Sequence, residues 1–262
     1  MVESILWAVG LEPTNACNLR CKVCWSQNPH LYPLRPRGFM SWSLFTKVVD
    51  ELAAYREKSG RQMKLCMNYG GESMLHPRYK DMIRYASRKG CFDLRAITNA
   101  VKLTPEIADA LVDCDVHVTV SIHNTPKSHS AHYKTYSLLT DRGIPLDGSI
   151  VREEFTDEQV AVELKRWTEI VEEVRVYPAK TEDNHYVNYK VDDPPPCTQP
   201  SYYMGILWNG DVYPCCHLLS TDFRGMGNVA ETSVERVWNG ERYRLMRSHE
   251  LEDAPCKGCE FW

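Results

Sequence analysis

Cys17, Cys21 and Cys24 stand in the spacing C-x3-C-x2-C. On a helix that spacing would draw one apolar stripe. Pro13, Asn15 and Asn18 argue instead for a loop that follows a strand-like run and curls its thiolates around a shared object. Thiolates are soft ligands suited to zinc or to an iron-sulfur cluster. A cubane of four irons held by three cysteines keeps one iron open for a further ligand. A second group lies at the other end of the chain: Cys197, Cys215, Cys216 and the C-x2-C pair Cys256 and Cys259. Cys197, Cys215, Cys256 and Cys259 could hold zinc. Were they to hold an iron-sulfur cluster instead, full ligation by four cysteines would leave no open iron and would point to electron transfer or support. Either Cys215 or its neighbour Cys216 could be the ligand, and the spacing from Gly210 favours Cys215. Cys66, Cys91 and Cys114 are scattered singly and read as small buried hydrophobes.

The segment Glu12-Pro-Thr-Asn-Ala-Cys-Asn-Leu-Arg-Cys-Lys-Val-Cys-Trp25 resembles the signature of the radical S-adenosylmethionine (SAM) superfamily, including the aromatic residue after the third cysteine. The resemblance implies a [4Fe-4S] cluster whose open iron chelates the amino and carboxylate groups of SAM, and reductive cleavage to methionine and a 5'-deoxyadenosyl radical. It assigns Gly70-Gly71-Glu72 to the methionyl amino group. It assigns Asn99 and Ser121 to the ribose or carboxylate, Arg152 to the carboxylate, and Trp25 to the border of the adenine. Each of these residues also has an ordinary reading, as a turn, a loop cap, a surface charge or core packing. Ser73, Ala100 and His123 stand where proline, glycine and aspartate are common in the family. His123, His129 and His132 read as loop or surface histidines. The order of the C-terminal cysteines, with Gly227-Asn228-Val229 and Val237-Trp238-Asn239, resembles the twitch form of the SPASM extension, which implies an auxiliary [4Fe-4S] cluster.

The elements that position these residues follow from periodicity. Strand-like runs at Ile5-Leu11, Lys64-Asn68, Asp93-Thr98, Val116-Ile122, Leu146-Val151 and Val174-Tyr177 alternate with helical patterns at Trp42-Lys58, Tyr79-Lys89, Pro105-Asp113, Lys127-Thr140 and Asp157-Ile170. This is α/β architecture, and with the resemblance it predicts a partial (β/α)6 TIM-like barrel over residues 1–178. The polar stretch 179–196, ending in three prolines, reads as a linker. Residues 197–262 read as a small twitch-type domain, with a hairpin turning at Asn209-Gly210 and one helix over Ser233–Arg247. Arg236, Arg242, Arg244 and Arg247 on that helix read as a solvated face interleaved with Glu235 and Glu241.

Composition narrows the classes. A net charge of -4, from 31 basic and 35 acidic residues, offers no broad cationic surface for nucleic acid. No apolar run is long enough to span a bilayer, and the first ten residues lack the plan of a signal peptide. The expectation is a cytoplasmic protein whose eleven cysteines serve metal or catalysis rather than disulfides. The oligomeric state is not legible.

The resemblance implies a radical SAM oxidoreductase similar in plan to the twitch dehydrogenases of aminoglycoside biosynthesis. Such an enzyme abstracts hydrogen from a small molecule and passes the second electron to the auxiliary cluster. A base must take the alcohol proton, with Arg152 or a histidine as candidates. The alternative is crosslinking, oxidation or epimerisation of a peptide, in which one of the single cysteines could return a hydrogen atom. The early first strand leaves no room for a leader-binding domain, which tilts the balance toward a small or short substrate. Either enzyme calls for a flavodoxin- or ferredoxin-type electron donor. A zinc-binding interaction module is the non-catalytic reading.

Overall fold

The computed structural model describes residues 4–22, 24, 26–27, 35–124, 137–151, 154–171, 173–177, 197–220, 223–254 and 256. Six parallel strands follow one another across a sheet: β1 (Ala8–Leu11), β2 (Met63–Cys66), β3 (Phe92–Thr98), β4 (His117–Ile122), β5 (Leu146–Val151) and β6 (Glu173–Tyr177). Between them run α1 (Trp42–Ser59), α2 (Tyr79–Ser87), α3 (Pro105–Asp113) and α4 (Asp157–Thr168). Of the helix expected over 127–140, residues 137–140 are helical and the rest lie outside the described residues.

Local chemistry sets the helix ends. Ser41 caps α1 by accepting from the Leu44 amide, and Gly60 closes it at φ 66°. Thr104 caps α3 ahead of Pro105. Thr156 and Gln159 form a reciprocal capping box on α4. Strand β4 shows the two-residue period of its faces. Val118, Val120 and Ile122 are buried under the helices, while His117, Thr119 and Ser121 are half-buried on the inner face.

The C-terminal segment does not form a separate sheet. Strand β7 (Tyr203–Ile206) pairs in parallel with β1, Ala8 opposite Tyr203 and Gly10 opposite Gly205. Strands β8 (Asp211–Tyr213) and β9 (Gly227–Asn228) follow antiparallel, which completes a nine-stranded sheet. Both pairings of β1 begin at Ala8, opposite Lys64 and Tyr203, so the strand starts there rather than at Ile5. The expected single helix is two, α5 (Val234–Trp238) and α6 (Glu241–Arg247), with Gly240 extended (φ -67°, ψ 163°) between them.

Two of its arginines, both half-buried, bond to the rest of the chain. Arg242 donates to the Gly225 carbonyl and pairs with Asp253. Arg247 donates to the Pro200 and Trp238 carbonyls and stacks 3.9 Å over Trp238.

Candidate functional site

Because β1 to β5 are parallel, the loops leaving their carboxyl ends gather on one side of the sheet. They bring Cys17 to Cys24, Gly70-Gly71-Glu72, Asn99, His123 and Glu154 to one place. The cysteine loop is clamped by its own polar residues. Thr14 donates to the Gly38 carbonyl at 2.7 Å, Asn15 bonds both Pro36 and Gly38, and Gln27 donates to the Asn15 carbonyl at 2.8 Å. Gly71 packs so closely beneath it that a β-carbon would stand 2.5 Å from the carbonyl oxygens of Thr14 and Ala16. A side chain there would displace backbone, so glycine is required.

Glu72 organises the neighbouring loops. Its carboxylate is buried and accepts from the Asn99 amide at 2.8 Å, Thr98 Oγ1 at 3.0 Å and the Met74 amide at 3.2 Å. Burial nevertheless pushes its pKa up against those bonds. Asn99 extends Nδ2 to 3.7 Å from Cys17 Sγ and donates to Asn18 Oδ1 at 3.1 Å. Ala100 takes the left-handed backbone (φ 63°) that glycine would adopt freely.

The three thiols lie together, each half-buried and in no disulfide. Burial foremost pushes each thiol up. Glu72 and Cys24 add to this at Cys17, Glu154 and both other thiols at Cys21, and Glu154 at Cys24. Such a site ionises when a metal supplies the compensating positive charge. Three clustered soft donors beside a glycine cradle fit an iron-sulfur cluster with one open iron.

Glu154 was not among the residues singled out in the sequence. His123 Nδ1 lies 2.9 Å from Glu154 Oε2 and 3.5 Å from Cys21 Sγ. Asn124 donates to the Glu154 carbonyl and holds it there. Glu154 follows β5 while Cys21 follows β1, so no local spacing could reveal the pair. Ser121 is half-buried on the inner face of β4, opposite Ser149. Trp25, Arg152, His129 and His132 lie outside the described residues.

In the second cysteine group, Cys197, Cys215 and Cys216 are half-buried. Tyr202 lies within electrostatic reach of Cys197 and Cys215, whereas Tyr69 and Tyr203 feel Cys216 more strongly than Cys215. Cys256 is buried, and Cys259 lies outside the described residues. Among the single cysteines, Cys114 is buried, and Cys66 is half-buried on the inner face, where burial pushes its thiol up to about 11.

The radical SAM superfamily model matches residues 11–165, and SPASM, an iron-sulfur cluster-binding domain, matches residues 197–260. The tungsten-containing aldehyde ferredoxin oxidoreductase cofactor-modifying protein of Pyrococcus furiosus is 35% identical over 107 residues, 40% of this chain. The chain spans only about a quarter of that relative, 27% of its length. The serine-type anaerobic sulfatase-maturating enzyme of Bacteroides thetaiotaomicron is 21% identical over 334 residues, covering 97% of this chain and 80% of its own. The fold is similar to BtrN in complex with AdoMet and 2-DOIA (TM-score 0.63, 17% identity, 96% of this chain and 89% of that one). It is also similar to Streptococcus suis SuiB bound to S-adenosylmethionine (TM-score 0.75, 14% identity, 98% and 72%).

Proposed function

This chain belongs to the radical SAM superfamily, and from that premise we propose that it is an oxidoreductase that abstracts hydrogen from a substrate C–H bond. When bound at Cys17, Cys21 and Cys24, the [4Fe-4S] cluster and SAM supply the 5'-deoxyadenosyl radical. The chain's own residues bind and orient. Gly70, Gly71 and Glu72 present the edge for the methionyl amino group, Asn99 and Ser121 the contacts to ribose or carboxylate, Arg152 the cation for the carboxylate, and Trp25 the border of the adenine. Cys197, Cys215, Cys256 and Cys259 would hold the auxiliary [4Fe-4S] cluster, which would supply an acceptor for the second electron in the dehydrogenation of a small polar molecule. The setting is cytoplasmic, with a flavodoxin- or ferredoxin-type donor.

The inner face of the barrel carries this reading. Ile97, on the central strand β3, is 36% exposed, so the lumen is open. Toward the carboxyl ends of the strands, where the cysteine loop lies, polar groups stand on the inner face: Ser121 on β4 and Ser149 on β5, opposite one another and both half-buried. An open polar lumen suits a hydroxyl-bearing molecule better than an apolar one.

A second reading is peptide modification. It draws on the similarity to SuiB bound to the precursor peptide SuiA (TM-score 0.70) and to anSMEcpe with AdoMet and the Cp18Cys peptide (TM-score 0.67). Anaerobic reconstitution tests both. Two cubanes per chain and 5'-deoxyadenosine from the reduced protein are expected, and failure to form 5'-deoxyadenosine would sink the enzyme reading. A product lighter by two hydrogens marks dehydrogenation or crosslinking, whereas solvent deuterium at a product carbon marks epimerisation.

A further inference from the structure

Where aspartate is common in the family this chain carries His123, and the fold sets the ring between a thiol and a carboxyl. Its Nδ1 stands 2.9 Å from Glu154 Oε2 and 3.5 Å from Cys21 Sγ, and the sulfur, nitrogen and carboxylate oxygen all lie within 4.8 Å of one another. The His123 and Glu154 side chains are only 17% and 7% exposed, so water competes poorly for these contacts. Glu154 is itself held. The Asn124 amide reaches its Oε2 at 3.3 Å, and Asn124 Nδ2 donates to its carbonyl at 2.8 Å and to Gln159 Oε1, in the capping box of α4, at 3.4 Å.

A metal-bound thiolate and a carboxylate can only accept hydrogen bonds. With Cys21 ligating the cluster, Nδ1 of His123 therefore carries a proton, and its N–H is shared between the two. Without that hydrogen, two like charges would face each other within 4.8 Å. Reduction brings one electron from the external donor and leaves the cluster more negative by one charge. An N–H aimed at a ligand sulfur stabilises that more negative state and raises the reduction potential. An ionised aspartate at position 123 would lack the donor and add a further negative charge.

We propose that His123 is a positioning residue for the radical-generating cluster: it bridges Cys21 and Glu154 and holds the reduction potential of that cluster up. This rests on the assignment of Cys17, Cys21 and Cys24 to the cluster. Glu154 orients the ring, and Asn124 and Gln159 fix Glu154 against the start of α4. The imidazole N–H offsets the buried negative charge that Glu154 places beside the ligands.

The test is a potentiometric titration of the anaerobically reconstituted protein, followed by electron paramagnetic resonance with and without SAM. Only a cluster with an open iron can take SAM, so the signal that SAM alters belongs to Cys17, Cys21 and Cys24 and not to the auxiliary cysteines. At a fixed potential, His123→Leu is expected to lower the ratio of reduced to oxidised cluster about threefold. His123→Asp should lower it at least about tenfold, which for one electron is a midpoint about 59 mV more negative. His123→Asn, whose amide nitrogen can stand where Nδ1 stood, should stay within about twofold of the wild type. His117→Leu, at the other end of β4 and bonded to Asp147, should do the same. Wild-type midpoints in His123→Leu and His123→Asp overturn the proposal, as does a fall in His123→Asn or His117→Leu equal to that in His123→Leu. Loss of iron from every His123 variant at unchanged circular dichroism would make the residue part of cluster assembly and would overturn it as well. Absence of any SAM-responsive signal in the wild type would remove the cluster reading itself, a failure distinct from unchanged midpoints at full iron content.

Discussion

Arg35 grips Glu12 with both arms of its guanidinium, Nη2 to Oε1 at 2.6 Å and Nη1 to Oε2 at 3.1 Å, and the Glu12 side chain is 0% exposed. The same carboxylate accepts from the Trp208 amide at 3.3 Å, so one buried charge ties the cysteine loop to the C-terminal hairpin. Breaking a buried pair leaves a charge without compensation. Arg35→Ala is therefore expected to destabilise the apo protein by about 3–5 kcal/mol, read by urea unfolding. Replacing both residues with apolar ones of similar volume should cost much less.

Cys17→Ala, Cys21→Ala and Cys24→Ala should each lower bound iron by about four atoms per chain and abolish 5'-deoxyadenosine formation. Cys66→Ala should leave the iron content unchanged. Iron and sulfide assays on the reconstituted proteins check this, and full iron in Cys21→Ala would remove that residue from the ligand set.

Ala100 pays for its left-handed backbone with a β-carbon clash that glycine lacks. Ala100→Gly is expected to raise stability by up to about 1 kcal/mol, after the greater freedom of glycine in the unfolded chain is subtracted. Gly71→Ala, pressed against two loop carbonyls, should do the reverse and lower the melting temperature. Thermal unfolding of both variants compares the two signs directly.

Lys47 on α1 donates to the carbonyls of Val229 and Thr232 at 2.6 and 2.7 Å, and Glu51 one turn later accepts from the Val234 amide at the start of α5. Lys47→Met removes both carbonyl bonds. It should cost about 1–3 kcal/mol and speed amide exchange across 229–238, measured by mass spectrometry, while leaving α2 and α3 protected.

His76 makes stability depend on acid. Its Nδ1 accepts from the Arg78 amide at 3.0 Å, so the neutral ring carries its proton on Nε2, which donates to the Met40 carbonyl at 3.0 Å. Burial pushes its pKa below the ordinary 6.5. The unfolded chain therefore binds a proton at a higher pH than the folded one. The contribution is complete above pH 6.5 and is lost as the pH falls through the folded value. Denaturant midpoints of the wild type should fall between pH 7 and pH 5 by more than those of His76→Gln.

The spacing of Cys17, Cys21 and Cys24, the glycines at 70 and 71, and the alternation of strands and helices were legible because each depends on residues close together in the chain. Helix ends at Ser41, Thr104 and Thr156 were written equally locally, in capping side chains. The split between α5 and α6 was less visible, since both sides of Gly240 continue the helical period and its extended backbone decides the break.

The sequence by itself determined the donors and the order in which the strands present them, because ligand type and two-residue periodicity are short-range properties. Tertiary structure alone decided what surrounds them. It set β7 beside β1 to give one nine-stranded sheet, brought Glu154 to His123 and Cys21, and seated Arg35 on Glu12. These contacts join positions from 23 to well over a hundred residues apart, and the burial that gives them their strength exists only once the chain has closed on itself.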